Sequence, residues 1–266
     1  MGSDQSPPDL FEGMRRFRAQ LATGAPQICG AVTFNDPLVS DALADSVDML
    51  WYDLEHNALD PAALNAHLLA ARYKQTATIV RVADVHPAVL KPVLDAGATG
   101  IVAAQVHTVD EVEQLVRNCM YPPDGTRGCG PRVPTNFGRA GGTAYLRMAN
   151  QTIFTSVMIE TAEALDAIDQ IVRVPRLDSV VIGPSDLAGA IDQLDRVDGP
   201  AVNEAIDRVI AAAKAAGIYV GMGMPADTRF ASTMIARGVN WVQFGSDFEY
   251  MIQHIDANVE LLRSPS

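Results

Sequence analysis

The chain has 266 residues and a net charge of −12, from 32 acidic and 20 basic side chains, and 48% of its residues are hydrophobic. That length suits one large domain or two small ones, and a (β/α)8 barrel typically needs about 250 residues. The negative charge disfavours nucleic acid and anionic membrane surfaces as partners, so small anions have to be bound by local cations.

Apolar periodicity along the chain predicts alternating helices and strands. A first helix at 10–21 has one apolar face, and we expect it to close the floor of the fold. Strands are predicted at 27–34, 47–54, 77–82, 100–106, 155–159, 179–184, 218–222 and 239–244. Helices are predicted at 38–44, at 61–73, at 87–96, from 108 onward, and at 162–172, 201–216, 228–237 and 248–262. Because no GxGxxG fingerprint is present, this order favours an α/β fold of one (β/α)8 TIM barrel over a doubly wound sheet.

Helix-start and helix-stop signals support several of these boundaries. Asn35-Asp36-Pro37 supplies an N-cap and a proline at the first helical position, and Thr108 with Glu111 has the capping-box pattern. Gly97 and Gly238 are predicted to end helices. Pro92 should kink or shorten the helix that contains it.

The segment 119–142 interrupts the rhythm with repeated prolines and glycines. A loop of this length is usually functional or disordered. Its Arg127, Arg132 and Arg139 favour a lid or a subunit contact over disorder. We expect a single domain over residues 1–266, with a flexible tail at about 1–9.

The cysteines and the start of the chain bear on its location. Cys29, Cys119 and Cys129 are odd in number and form no CxxC motif, which predicts free thiols in a reducing compartment, with the cytoplasm as the default. The start lacks the basic and apolar regions of a secretory signal, and no apolar stretch approaches the length of a membrane span.

Polar side chains stand at the carboxyl ends of the predicted strands, which in such a barrel form the catalytic face. They are Asp53, Glu55, His56, Arg81, Gln105, Glu160, Asp186, Ser246 and Asp247.

Glu160 and Asp186 end two strands joined by one helix. Parallel strands place both acids on the same edge of the sheet, although each alone could be a helix N-cap or a surface charge. Oxygen ligands without nearby Cys or His favour Mg²⁺ or Mn²⁺ over zinc, with water or substrate completing the shell.

Such a metal could bind a 2-oxo acid and promote its enolisation. His56 beside Asp53 is the candidate base, with the carboxylate fixing the imidazole tautomer, although a structural histidine is the alternative. Arg81 would neutralise the enolate or bind the substrate carboxylate, or else pair with Asp84 or Asp95.

Backbone N–H groups at the start of a helix could also bind a substrate carboxylate. Gly183, Pro184 and Ser185 stand at such a position, just before Asp186. An ordinary tight turn is the alternative.

Six short motifs occur in order between about Gly30 and Asp247. They are Asp53-Leu-Glu-His56, Val80-Arg81, Leu94-Asp-Ala-Gly97, Tyr121-Pro-Pro-Asp-Gly-Thr-Arg-Gly128, Ile159-Glu160 and Ile182-Gly-Pro-Ser-Asp-Leu187. Together these motifs resemble the HpcH/HpaI family of class II pyruvate-type aldolases, which includes 2,4-dihydroxyhept-2-ene-1,7-dioate aldolases.

This resemblance implies a divalent metal (Mg²⁺, Mn²⁺ or Co²⁺) on Glu160 and Asp186, with His56 and Asp53 as the acid/base pair. Arg81 would stabilise the enolate. It also implies a homo-oligomer, a trimer or hexamer, often with the last helix exchanged between subunits. Glu55 would support the site or a subunit contact, and Asp95, Tyr121 and Arg127 would lie near a subunit boundary.

Two positions depart from the family pattern. Met158 stands where a Gln is usual, two residues before the metal-binding Glu, and Ala103-Ala-Gln105 replaces a proline-containing strand end. We expect Gln105 to supply the missing substrate-binding amide from the adjacent strand.

The expected function is a metal-dependent retro-aldolase that cleaves a 4-hydroxy-2-oxo acid into pyruvate, or a close relative, and an aldehyde. A decarboxylase or lyase of an oxaloacetate-like acid is the nearby alternative. A non-catalytic, metal-free barrel is the alternative from another class.

Overall fold

All six residues of the strand Phe154–Ile159 are buried, as expected of a parallel strand that is covered on both faces. The computed structural model describes residues 9–194 and 196–264. Its strands are β1 (Gln27–Val32), β2 (Met49–Asp53), β3 (Ala77–Val82), β4 (Gly100–Ala103), β5 (Phe154–Ile159), β6 (Ser179–Ile182), β7 (Tyr219–Met224) and β8 (Trp241–Ser246). They form a closed barrel in sequence order, and β8 pairs in parallel with β1. The predicted (β/α)8 barrel is confirmed.

Helices surround this barrel, and one of them closes its floor. They are α1 (Glu12–Ala22), α2 (Leu38–Leu43), α3 (Pro61–Lys74), α4 (Pro87–Ala96), α5 (Val109–Cys119), α6 (Thr143–Thr152), α7 (Ala162–Asp166), α8 (Ile168–Ile171), α9 (Pro184–Ala190), α10 (Pro200–Ala216), α11 (Thr228–Arg237) and α12 (Asp247–Arg263). Met14 and Phe17 of α1 are buried in the cluster that fills the barrel. The predicted position of the first helix is therefore confirmed.

The helix boundary signals are mostly confirmed. Thr108 and Glu111 form the reciprocal capping box at the start of α5. Gly97 and Gly238 follow α4 and α11 with φ of 112° and 119°, a left-handed conformation that favours glycine. At α2, however, Pro37 itself is the cap residue, and Asp36 accepts the N–H of Leu38 at 3.0 Å.

Several boundaries differ from the predicted ones. The helix expected at 162–172 is divided into α7 and α8, with Ala167 between them. Pro184 starts α9 and does not belong to β6, because its fixed φ suits the first turn of a helix. Pro92 does not end α4, which continues to Ala96, since its neighbours Leu90 and Val93 are buried.

A long irregular segment follows α5, as predicted, and the helix α6 beyond it was not predicted. The start of the segment is fixed by Asn150 of α6, whose side chain accepts the N–H of Tyr121 at 2.7 Å and donates to its carbonyl at 2.8 Å. The expected N-terminal tail falls mostly on residues 1–8, which lie outside the described residues.

Two further sequence expectations can be compared with the fold. Cys29, Cys119 and Cys129 are all free, and only Cys129 is exposed. Among residues 9–194 and 196–264, no helix is both long and apolar enough to cross a membrane.

The barrel interior holds large side chains at its lower end. The indole of Trp241 is fully buried and donates to the hydroxyl of Ser179 at 3.0 Å. Gly221 on the neighbouring strand β7 makes room for this ring, because a Cβ there would lie 2.3 Å from two ring atoms. This close approach explains why position 221 is glycine, so a phosphate-binding role is not needed to account for it.

We predict that Gly221→Ala destabilises the fold by about 3 kcal/mol, because overpacking a rigid core forces the ring or the strand to move. Urea unfolding followed by tryptophan fluorescence measures the change. Gly141→Ala is the control, since its added Cβ would meet atoms no closer than 3.7 Å. Equal midpoints for Gly221→Ala and the unsubstituted protein would contradict this account of the packing.

Candidate active site

The carboxyl ends of the strands meet at one end of the barrel, the mouth, where free space lies between them. One cavity of about 370 Å³ is lined by Asp53 and Arg81, from β2 and β3, and by residues of β1, β7 and β8. A second, of about 530 Å³, is lined by Gln105, Glu160 and Asp186. The barrel thus gathers the polar side chains that the sequence places at strand ends.

Arg81 is held by two carboxylates. Its Nε and Nη2 donate to the two oxygens of Asp53 at 2.8 and 2.6 Å, and its Nη1 lies 3.1 Å from Glu55. Burial raises the pKa of the Asp53 carboxyl, but the hydrogen bonds and charge of Arg81 outweigh this effect and lower that pKa below its ordinary value. Asp53 is therefore ionised at neutral pH and fixed on the guanidinium.

His56 lies beside this ion pair, but its ring does not contact Asp53. The ring is 63% exposed, and its Nε2 lies 3.6 Å from the Glu55 carboxylate. From His56, Asp53 receives only the backbone N–H, at 3.4 Å. The expected side-chain contact between His56 and Asp53 is not present in this structure, where Arg81 engages both oxygens of Asp53. The acid/base roles of His56 and Asp53 stay predictions. Glu55 is the carboxylate that faces the imidazole.

The two oxygens of Glu160 have different surroundings, although the residue is only 2% exposed. Oε1 accepts the backbone N–H of Gln105 at 2.9 Å and its side-chain amide at 3.2 Å. Oε2 is buried and has no hydrogen-bond partner among the described residues. Burial, with the negative charges of Glu55 and Asp186, raises the pKa of Glu160 to about 7. An ionised Glu160 therefore lacks the second partner that a buried carboxylate requires.

Gln105 holds Glu160 from a left-handed backbone conformation, with φ of 50°. A non-glycine residue adopts this conformation at some cost, which is typical of functional sites. The amide that we expected to bind substrate instead orients Glu160. Met158, where the family resemblance leads us to expect a Gln, lies with its sulfur 3.8 Å from Nη1 of Arg81.

Asp186 lies in the first turn of α9, exposed at the rim. It lines the same cavity as Glu160, so the two acids are neighbours on one rim, as the parallel strand order requires. The residues before it begin this helix: Gly183 is buried at the cap position, while Pro184 and Ser185 border a third cavity of about 530 Å³.

The donor set at the rim fits a hard divalent cation. Within the described part of the chain, no group of three or more His, Cys, Asp or Glu side chains could hold a metal. Glu160 and Asp186 offer two oxygen ligands and leave the other positions to water or substrate, which suits Mg²⁺ or Mn²⁺. The buried and unpartnered Oε2 of Glu160 is the observation that favours a cation here.

Asp95, Tyr121 and Arg127 form a separate cluster, in which Tyr121 and Arg127 are buried and Asp95 is partly exposed. Arg127 is 4% exposed; its Nη2 donates to Asp95 at 2.8 Å, and its guanidinium lies 4.3 Å from the centre of the Tyr121 ring. None of the three lines the mouth cavities described above. Because Asp95 pairs with Arg127, it is not the partner of Arg81.

Sequence reasoning missed Thr33, Asn57 and Glu249, which line the cavity next to Arg81. Thr33 follows β1, and Asp247 accepts its N–H at 2.8 Å and its hydroxyl at 2.5 Å. Glu249 accepts the hydroxyl of Ser246 at 2.9 Å. Position after a strand could have indicated Thr33, but Glu249 depends on the direction in which α12 leaves the barrel.

Comparison with known proteins decides the family. A family model described as HpcH/HpaI aldolase/citrate lyase matches residues 31–254. The chain belongs to this family. The resemblance inferred from the sequence motifs is thereby confirmed.

Named relatives of the family cover most of the chain. It is 32% identical to the hydroxypyruvate/pyruvate aldolase of Roseovarius nubinhibens, over 89% of this chain and 92% of that protein. It is also 32% identical to the 5-keto-4-deoxy-D-glucarate aldolase of Shigella dysenteriae, over 90% of this chain and 92% of that protein. The HpcH/HpaI aldolase of Desulfitobacterium hafniense has a similar structure, with a TM-score of 0.87, 25% identity, and coverage of 94% of this chain and 97% of that one.

We predict that Glu160→Gln stabilises the metal-free protein at pH 8 but not at pH 5. The pKa of Glu160 is about 7 in the fold and 4.5 ordinarily. Between these values the folded protein retains a proton that the unfolded chain has lost, so stability falls as the pH rises through this window. A neutral amide avoids this loss, about 3 kcal/mol at 1.36 kcal/mol per pKa unit.

Urea unfolding midpoints with EDTA at the two pH values test this prediction. The exposed Glu163, which lines the same cavity, provides the control variant Glu163→Gln, for which we expect no gain at either pH. A gain for Glu160→Gln that is equal at pH 5 and pH 8 would contradict the assigned cause.

Proposed function

We propose that the protein is a divalent-metal-dependent aldolase. It forms or cleaves the bond between the enolate of a 2-oxo acid, of the pyruvate or hydroxypyruvate type, and an aldehyde. The main support is the buried, unpartnered Oε2 of Glu160 on the rim that also carries Asp186 and Arg81. Family membership and the two named aldolases support the same conclusion.

Glu160 and Asp186 would hold the cation, which we expect to be Mg²⁺, Mn²⁺ or Co²⁺. When bound, a divalent cation acts as a Lewis acid on the keto oxygen of the 2-oxo acid and makes the adjacent C–H group more acidic. Gln105 orients Glu160 by occupying Oε1 and leaving Oε2 free. The start of α9, at Gly183, Pro184 and Ser185, borders the space available for the substrate carboxylate.

Arg81 would stabilise the negative charge of the enolate. Asp53 and Glu55 hold its guanidinium in one orientation at the cavity wall, so the positive charge is preorganised before the reaction begins. In this arrangement Asp53 acts by positioning Arg81. This assignment differs from the pairing with His56 that the family resemblance implies.

His56 would carry the proton. Its exposed imidazole at the mouth can take a proton from the carbon next to the carbonyl and return it to the aldehyde oxygen. The Glu55 carboxylate, 3.6 Å from Nε2, would stabilise the imidazolium. We therefore assign Glu55 the supporting role first expected of Asp53.

Helix α12 supports assembly with further copies of the chain. Its exposed large apolar residues, each between 43% and 86% exposed, are Phe248, Met251, Ile252, Ile255, Leu261 and Leu262. A cavity of about 850 Å³ runs beside the helix, lined by Phe244, Tyr250 and Met251 among others. Apolar surface of this kind is typical of an interface. We propose a trimer or hexamer in which α12 packs on a second copy, and we place the protein in the cytoplasm because its three cysteines are free.

The aldolase proposal predicts metal-dependent exchange of the methyl protons of pyruvate with D₂O, measured by NMR with Mg²⁺. We expect EDTA, Glu160→Gln or His56→Ala to slow the exchange by about 100-fold or more. Glu163→Gln should retain it. Exchange that persists unchanged in EDTA would contradict the proposal.

Adding an aldehyde then separates the candidate reactions. A 4-hydroxy-2-oxo acid should form from pyruvate, and the reverse reaction should release the aldehyde. Rapid decarboxylation of oxaloacetate without any aldol product would favour the decarboxylase alternative.

The assembly proposal predicts that the double substitution Ile252→Glu with Ile255→Glu yields smaller species in light scattering after size-exclusion chromatography. A charge on each apolar side chain would be buried in the interface without a partner, which opposes association. Gln20→Glu, on an exposed position of α1, is the control. A monomeric unsubstituted protein would contradict the proposal.

A further inference from the structure

The three cavities around the mouth adjoin one another, because they share lining residues. The cavity beside Arg81 shares Gly223, Met224 and Pro225 with the third cavity, which in turn shares Ser185 with the cavity beside Glu160. An aldehyde that reacts with an enolate held between these cavities has to approach through this space.

Acidic side chains predominate along these walls. Those that line the three cavities are Asp53, Glu160, Glu163, Asp186, Asp227 and Glu249. Among the described residues lining them, Arg81 is the one cation. Arg196, six residues after the end of α9, is exposed but lines none of the three cavities.

Arg81 is already paired with two carboxylates, which weakens its attraction for a further anion. Asp53 engages Nε and Nη2, and Glu55 faces Nη1. A divalent cation would offset Glu160 and Asp186 only. Once a 2-oxo acid is bound, its own carboxylate and Glu249 leave the mouth negative, so a further carboxylate would meet repulsion and no partner.

The remaining walls suit an uncharged chain. Trp51, Met158 and Phe248 provide apolar surface beside Arg81, and Met224 and Phe230 line the third cavity. Neutral polar groups also line the first cavity: these are Thr33, Asn57, Gln243 and Ser246. Such groups can accept a hydrogen bond from a hydroxyl group but do not compensate a full negative charge.

We propose that the aldehyde partner of this site carries no carboxylate, and that Glu249 is a residue that excludes acidic aldehydes. This inference rests on the proposed aldolase function and names its electrophile class. The enolate carbon attacks the aldehyde carbon, the new C–C bond forms, and the aldehyde oxygen takes up one proton. No further co-reactant is required, and the charge on the aldehyde is the variable that the site selects.

A matched pair of aldehydes tests the proposal. With pyruvate and Mg²⁺, the protein is assayed with 4-oxobutanoate and with its methyl ester, which have the same four-carbon backbone but differ in charge. We expect kcat/KM to favour the ester by about 30-fold, since one uncompensated like-charge contact at a partly solvated site has an effect of this order. The preference should shrink as the salt concentration rises. An equal rate, or a preference for 4-oxobutanoate, would overturn the proposal.

Substitution of Glu249 tests whether this residue causes the discrimination against the acidic aldehyde. Glu249→Lys should raise kcat/KM for 4-oxobutanoate relative to the ester by about tenfold or more, and Glu249→Gln should give a smaller rise. The ratio is measured within each variant, so a change in overall activity cancels. Glu204→Lys, at an exposed position of α10, makes the same change in net charge away from the mouth and should leave the ratio unaltered. An equal shift in the Glu204 variant would overturn the role assigned to Glu249.

Proton exchange between pyruvate and D₂O involves no aldehyde and separates the two proposals. Exchange together with a preference for 4-oxobutanoate overturns the electrophile class and leaves the aldolase function standing. Absence of exchange overturns the proposed function and this inference with it. A preference for 4-oxobutanoate that disappears in the Ile252→Glu, Ile255→Glu variant would overturn the proposal and indicate that a second copy supplies a cation to the mouth.

Discussion

The burial of one carboxylate with an unpartnered oxygen is the constraint on which the rest of the site depends. Glu160 is fixed at the end of β5, Gln105 occupies one of its oxygens, and Oε2 is left without a hydrogen bond. Burying a charge in this way is unfavourable unless a cation compensates it. The parallel barrel brings Asp186 to the same rim as Glu160, where it would be the second ligand. Local backbone geometry and overall topology together would thus determine the proposed metal position.

Arg81 is the second fixed charge of the mouth, and its surroundings explain why the site can be both acidic and suited to anions. Asp53 and Glu55 hold the guanidinium rigidly, which orients positive charge at low reorganisation cost. The same two acids offset much of its positive charge. A single anionic group, the carboxylate or enolate of a 2-oxo acid, can be stabilised between this cation and a metal. Although the chain has a net charge of −12, Arg81 and the proposed metal would provide the local positive charge that binds this anion.

Much of the fold and part of the site could be predicted from sequence, for identifiable reasons. Apolar runs and caps defined the strands and most helices, and strand order alone placed Glu160 near Asp186. The proximity of His56 to Glu55 could not be predicted, because it depends on how Asp53 and Glu55 are arranged around Arg81. The left-handed backbone conformation of Gln105 could not be predicted, because glutamine has no preference for it. The position of Glu249 could not be predicted because it depends on the direction of α12. The need for glycine at position 221 could not be predicted either, because it depends on how closely the Trp241 ring packs against that strand.

Calorimetric titration of the metal-free protein with Mn²⁺ tests the central claim most directly. Since the pKa of Glu160 is about 7, binding at pH 6 has to displace the proton from that carboxyl. Titrations in two buffers of different ionisation enthalpy should show release of about one proton per ion at pH 6, with little release at pH 8.5. Glu160→Gln should abolish both the binding and the release. Tight Mn²⁺ binding that is unaffected by Glu160→Gln would contradict the account.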